Sequence, residues 1–194
     1  MSTPSLTIGV TGHRFLAEVD KVSAGIDRAL ACIEATFTPQ SWTVLSALAD
    51  GADQLVTRRL LARHPARLLV LLPMALDEYL EDIRSPERFS ELLTQAAGTI
   101  PLPRAPTRDG AYAALGGYIA EHCDLLFAVW DGCPAQGPGG TSDIVSCARA
   151  AGKPLAWVHA GNRVPGTEEP TTLGAEQGQV SLERFPVART SGQR

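Results

Sequence analysis

A chain of 194 residues suits one α/β domain, or one domain with a tail. Hydrophobic residues make up 44% against 20% charged, a balance able to bury a sizeable core. A net charge of −4 argues against a nucleic-acid surface, and no apolar run approaches the roughly 20 residues of a membrane span.

The opening MSTPSLTIGV lacks the charged and apolar regions of a signal peptide, so a soluble, cytoplasmic protein is expected. Residues 6–10 then read as a first strand. Val19, Val22, Ile26, Leu30, Ile33 and Phe37 recur at helical spacing within 17–37. Residues 42–48 read as a second strand, and 52–63 as a helix with Leu55, Val56 and Leu60 inward. The aliphatic run 68–72 is a strand of the fully buried type, stopped by Pro73. Helices are expected over 76–83 and 86–97, the second with Ser85 as N-cap and Pro86 at its first position. Residues 99–106 hold too many prolines for a central strand and suit an extended surface connection. A helix over 111–123 places Tyr112, Leu115, Ile119 and His122 on one face. Residues 125–130 form the fourth strand and 155–159 the fifth. The helix between them, 141–151, is closed by Gly152, Lys153 and Pro154.

This alternation predicts a three-layer, Rossmann-like, doubly wound α/β fold with a mostly parallel sheet of five or more strands, in the order 3-2-1-4-5. The domain spans 1–160. Residues 161–194 shift to five glycines and three prolines and read as a partly flexible extension, with 179–184 able to add an edge strand. The four cysteines, Cys32, Cys123, Cys133 and Cys147, form no CxxC pair. The four histidines stand at no zinc-ligand spacing from them, so reduced core thiols and no metal are expected.

Open parallel sheets bind ligands at the carboxyl ends of their strands. Thr11, Gly12, His13 and Arg14 follow the first strand there, a glycine turn delivering the chain into a helix. Its free amides, the helix dipole and the planar donor fork of Arg14 suit a phosphate or carboxylate. Alternatively, Arg14 pairs with Asp50 or Asp131 and only ties loops together. Asp50, Gly51 and Asp53 flank the turn after the second strand, where an aspartate could meet a ribose or base or serve the turn itself. Asp131 ends the fourth strand beneath a Gly-rich loop. In that loop Gly139, Gly140 and Thr141 can cradle a phosphate, with Thr141 and Asp143 serving equally as ordinary helix-start residues. Neither loop is a Walker A or GxGxxG fingerprint, which disfavours a nicotinamide-linked dehydrogenase.

Taken together, Thr11-Gly12-His13-Arg14, the segment LSALADGADQLVTRRLL (45–61), the strand ending in Asp131 and the run PGGTSD from Pro138 resemble the SLOG superfamily. Its relatives include LOG phosphoribohydrolases and DprA-type DNA-processing proteins. The resemblance covers roughly residues 6–160. It implies a nucleotide-type ligand held across the Thr11–Arg14 and Gly139–Thr141 loops, and a homodimer, for which Leu92 and Leu93 offer apolar helix surface. The LOG enzymes carry a catalytic glutamate in a PGGxGTxxE motif. The corresponding position here is Ile144, and Asp143 stands one residue out of register.

The sequence therefore points first to a nucleotide-binding or sensing domain with no resident cofactor indicated. The alternative is an N-glycosidase acting on nucleoside monophosphates, with Asp143, Asp131 or Asp53 replacing the missing glutamate. A third reading, single-stranded DNA binding, is opposed by the acidic chain and by the lack of interleaved aromatic and basic residues.

Overall fold

A computed structural model describes residues 5–134 and 139–186. Seven strands form one sheet: β1 (Ser5–Gly12), β2 (Ser41–Ser46), β3 (Ala66–Leu72), β4 (Gly98–Pro101), β5 (Leu125–Trp130), β6 (Leu155–His159) and β7 (Val180–Glu183). Their order is β4-β3-β2-β1-β5-β6-β7, parallel except for the β6–β7 pair. The five strands expected from sequence stand in the order expected, and one strand has been added at each edge. Every residue of β5, LLFAVW, is buried, as suits a central parallel strand with helices on both faces.

The helices are α1 (Val19–Phe37), α2 (Ala52–Arg63), α3 (Leu76–Leu80), α4 (Pro86–Leu93), α5 (Arg108–His122) and α6 (Thr141–Ala150). Side chains alternate between the faces of a strand, and β1 shows which helices lie on which face. A Cβ added at Gly9 would meet Ile119 of α5, whereas one at Gly12 would meet Ala52 of α2. Helices α2 and α5 therefore cover opposite faces. Helix α1 packs on α2 and α6 on α5, which completes the three layers.

Two expectations need correction. Of residues 99–106, expected as an extended surface connection, 99–101 belong instead to edge strand β4 and pair with β3. Pro101 ends that strand at the sheet edge, where a missing N–H costs no ladder hydrogen bond. Leu92, expected to offer a dimer face, is only 1% exposed. Leu93 is half-buried against the same core, because α4 packs on α2. The cysteines also divide: Cys123 is buried, but Cys133 and Cys147 are exposed.

The extension folds back over the domain. Buried Gln177 does the stitching: its carbonyl accepts from Gly161 N (3.0 Å) and Leu173 N (3.1 Å), and its amide donates to Ala17 O (2.9 Å). Strand β7 then pairs with β6, as the pattern of 179–184 suggested. Among the described residues, no helix is long and apolar enough to cross a membrane.

Candidate functional site

Strands β1, β2 and β5 end side by side, and the loops leaving them enclose a cavity of about 410 Å³. That is within the roughly 300–1,000 Å³ usual for small-molecule sites. Of the residues singled out from sequence, Thr11, Gly12, His13, Arg14, Asp53, Asp131, Gly139, Gly140 and Thr141 line it. Asp50, Gly51 and Asp143 do not. Pro138 and the rest of the loop at 135–138 lie outside the described residues.

The turn after β1 is held by its backbone. His13 N donates to Val129 O and His13 O accepts from Ala52 N, both at 3.0 Å, locking the turn between β5 and α2. Gly51 lets this happen. Its φ of 78° and ψ of −116° are unfavourable for an L-residue, and a Cβ there would sit 2.5 Å from His13 O and closer still to Arg14 O. Gly51 is thus the packing partner of the turn rather than a ligand contact.

His13 is nearly buried, and its Nε2 accepts a hydrogen bond from Asp131 N (3.1 Å). Burial lowers its pKa, outweighing the pull of the Asp131 carboxylate 3.2 Å away. The imidazole is therefore a neutral brace between β1 and β5. Asp131 in turn accepts from Cys133 N (2.8 Å), shaping the loop that leaves β5.

Arg14 behaves differently. Its guanidinium lies 5.3 Å from the centre of the Tyr112 ring and donates a long hydrogen bond (3.4 Å) to Asp82 O. Among the described residues it enters no ion pair, with Asp50, Asp131 or any other carboxylate. Two acids are near enough to interact with its charge, the buried Asp53 and Asp82, and the Asp82 carboxylate already accepts from Tyr112 Oη and from Arg108 Nε (2.9 Å). Burial opposes the charge on Arg14, yet the surrounding tyrosines and Asp82 keep its pKa raised. A permanently charged donor fork thus faces the cavity with hydrogen-bonding capacity to spare.

The two aspartates of the ADGAD turn serve opposite purposes. Asp50 points away from the cavity and accepts from Arg84 N (2.8 Å) and Ser85 N (3.1 Å), anchoring the entry to α4. It is a structural cap for a segment 34 residues away, so its expected ribose contact is not made available. Asp53, one helical turn on, lies in the cavity at 6% exposure and enters no ion pair among the described residues. Burial pushes its carboxyl up to about 7, against the opposing effects of the Ala49 amide and the Arg14 charge. Beside it stands Tyr79, fully buried, which donates to Ala47 O (3.1 Å). The neighbouring Leu48 is held at φ 56°, a left-handed conformation uncommon for a branched residue.

The residues that start helix α6, Gly140, Thr141 and Ser142, line the cavity, and the free amides of a helix start suit an anion. Its N-cap is Gly140 and no side chain caps it, so Thr141 is not the cap expected from sequence. Asp143 turns back to accept from Gly139 N (3.0 Å) and is consumed in shaping the loop. Ile144 is 6% exposed and packs against Gly116 of α5.

Sequence reasoning missed two contributors. Arg163 and Asn162, from the extension, line the same cavity. Arg163 lies over the Phe15 ring at 4.8 Å, with Arg84 on that ring at 5.0 Å. Like Arg14, Arg163 enters no ion pair among the described residues. Its position in a Gly- and Pro-rich segment carries no periodic signal that could have placed it. Among the described residues, no three His, Cys, Asp or Glu side chains gather as a metal site.

Fold and site together define a Rossmann-like α/β domain with a cavity of small-molecule size at the carboxyl edge of its sheet. No family model and no curated protein matches the chain. Among solved structures, it is similar to the Moco carrier protein of Chlamydomonas rheinhardtii, at 19% identity over 78% of this chain and 74% of that one, with a TM-score of 0.42. A likeness so distant says nothing about the ligand of this cavity.

Proposed function

We propose that this chain binds a phosphorylated small molecule of the nucleotide type, as the SLOG-like motifs suggest. The observation that carries this reading is Arg14: a guanidinium in a ligand-sized cavity, without a carboxylate partner among the described residues, facing a helix start whose cap is a glycine. Buried charges are ordinarily paired, so a site that leaves one unpaired is suited to an incoming anion. Arg163, packed over the Phe15 ring, adds a second positive charge to the same cavity.

A thermal-shift and calorimetric screen of nucleoside monophosphates, diphosphates and ADP-ribose, run on wild type and Arg14→Ala, tests it. The expected result is stabilisation of the wild type that the variant loses by about 2 kcal/mol or more of binding energy, a charge-assisted bidentate contact. A ligand bound equally by both proteins places the anion elsewhere and refutes the assignment.

One observation favours a second reading, hydrolysis of an N-glycosidic bond. Of the three carboxylates that could replace the missing glutamate, Asp143 is engaged by Gly139 and Asp131 by Cys133. Asp53 is buried in the cavity with a pKa near neutrality, the condition for general acid–base work. Release of free base from a bound nucleotide, absent in Asp53→Asn, would support it.

A further inference from the structure

We infer that Asp53 meets the bound anion as the neutral acid, so that the cavity takes up one anion together with one proton. This rests on the anion reading of Arg14 above and goes on to assign what the carboxyl beneath it does.

The geometry sets the problem. Asp53 sits in the first turn of α2, 6% exposed, on the wall of the cavity that Arg14 enters from the turn after β1. Among the described residues, His13, Asp131, Cys133 and Arg163 also line this cavity, but the charges that act on Asp53 and its neighbours are few. Arg14 is the cation that acts on it; Tyr79 of α3 is fully buried beside it; Tyr112 of α5 and Asp82, after α3, act on Arg14 and Tyr79 in turn. Among the described residues no ion pair neutralises Asp53; the Ala49 amide and then the field of Arg14 favour its carboxylate, with smaller help from Ser46 and Ala47, and Arg14 is the one charge among them.

An anion on Arg14 cancels that field. The carboxyl is then left buried, facing negative charge, with only the neutral donors of Ala49, Ser46 and Ala47 to favour its ionisation, and the balance tips to the acid. The proton gives the cavity a useful donor. A neutral carboxyl can donate its O–H to an anion oxygen, which a carboxylate cannot do. Balance is simple: one proton leaves solvent and binds a carboxylate oxygen of Asp53, and no covalent bond of the ligand changes. The carboxyl also becomes a selector, since the ligand must offer it an acceptor such as a phosphoryl oxygen.

Inorganic sulfate is the probe of choice, because its charge is constant across the neutral pH range while that of a phosphate monoester is not. Calorimetric titrations would be run on wild type, Asp53→Asn and Arg14→Ala from about pH 6 to about pH 9, in pairs of buffers with different ionisation heats. For the wild type, the expected affinity falls with pH, approaching about tenfold per unit at the alkaline end, with close to one proton taken up per sulfate bound. Asp53→Asn, which imitates the neutral acid, is expected to bind with little pH dependence and more tightly than wild type at the alkaline end. Its urea midpoint checks that it folds.

A wild-type affinity that does not change with pH, or one that falls in parallel in both proteins, overturns the proton and leaves the anion site standing. Sulfate bound by Arg14→Ala as well as by wild type, or not bound by wild type at all, overturns the anion site and the proton together.

Discussion

Even without a ligand, the buried carboxyl of Asp53 should leave its mark on folding. In the folded chain it titrates at about 7, against an ordinary value of 3.8, because the folded site removes it from water. The native state therefore binds this proton more tightly than the unfolded state does. The stability it contributes is fully present below the unfolded value, declines as pH rises through the window between the two, and is gone above about 7. The gap is about three pH units at about 1.4 kcal/mol each, so up to about 4 kcal/mol is at stake. Asp53→Asn cannot ionise and should escape this loss. In urea titrations of both proteins at several pH values from about 4 to about 8.5, the difference in unfolding free energy should swing by about 3–4 kcal/mol in favour of the variant. Any constant cost of the amide shifts the whole curve and leaves the swing intact. If the two stabilities run parallel with pH, Asp53 ionises as freely in the folded chain as in the unfolded one, and the buried-acid account of this site is wrong.

Gly51→Ala should destabilise by about 2 kcal/mol or more, since it adds left-handed strain and a clash with the backbone of the Arg14 turn. The urea midpoint reads this, and a midpoint unchanged from wild type would mean that the turn is not packed as described. Asp50→Ala should cost about 2–3 kcal/mol by orphaning the Arg84 and Ser85 amides. Nucleotide affinity measured on the folded fraction should hold, because Asp50 faces away from the cavity. On the extension, Gln177→Ala should cost about 2–3 kcal/mol by breaking three hydrogen bonds of a buried amide. Glu168→Gln should cost under about 1 kcal/mol, since its pair with Arg84 is more than half exposed on both sides. Limited proteolysis of 161–186 should follow the same ranking.

Much of the scaffold was legible in the residues themselves. Continuous apolar runs such as 68–72 and 125–130, the helical stripe from Val19 to Phe37 and the stop after Ala150 depend on neighbours along the chain, and local spacing is enough to read them. That the loops after β1, β2 and β5 share one edge also followed, because alternation of strand and helix constrains the sheet to be parallel. Edge strand β4 was not legible. Its pairing is decided by the exposed side of β3, which alters the meaning of a proline.

What a polar side chain does at that edge was decided only by tertiary structure. Asp50 and Asp53 stand three positions apart in one turn and are chemically identical. The first meets two amides of the segment before α4 and becomes a cap; the second is buried in the cavity, and burial, against the opposing pull of the Ala49 amide and of Arg14, makes it an acid titrating near neutrality. Arg14 stood out in the sequence as a donor suited to an anion, but its lack of an ion pair among the described residues depended on Tyr112 and Arg108 having claimed Asp82. Arg163 joins it from an extension with no pattern to read. Electrostatic environment and hydrogen-bond partnership are set by groups brought together from distant positions in the chain, and periodicity, which reports only near neighbours, does not encode them.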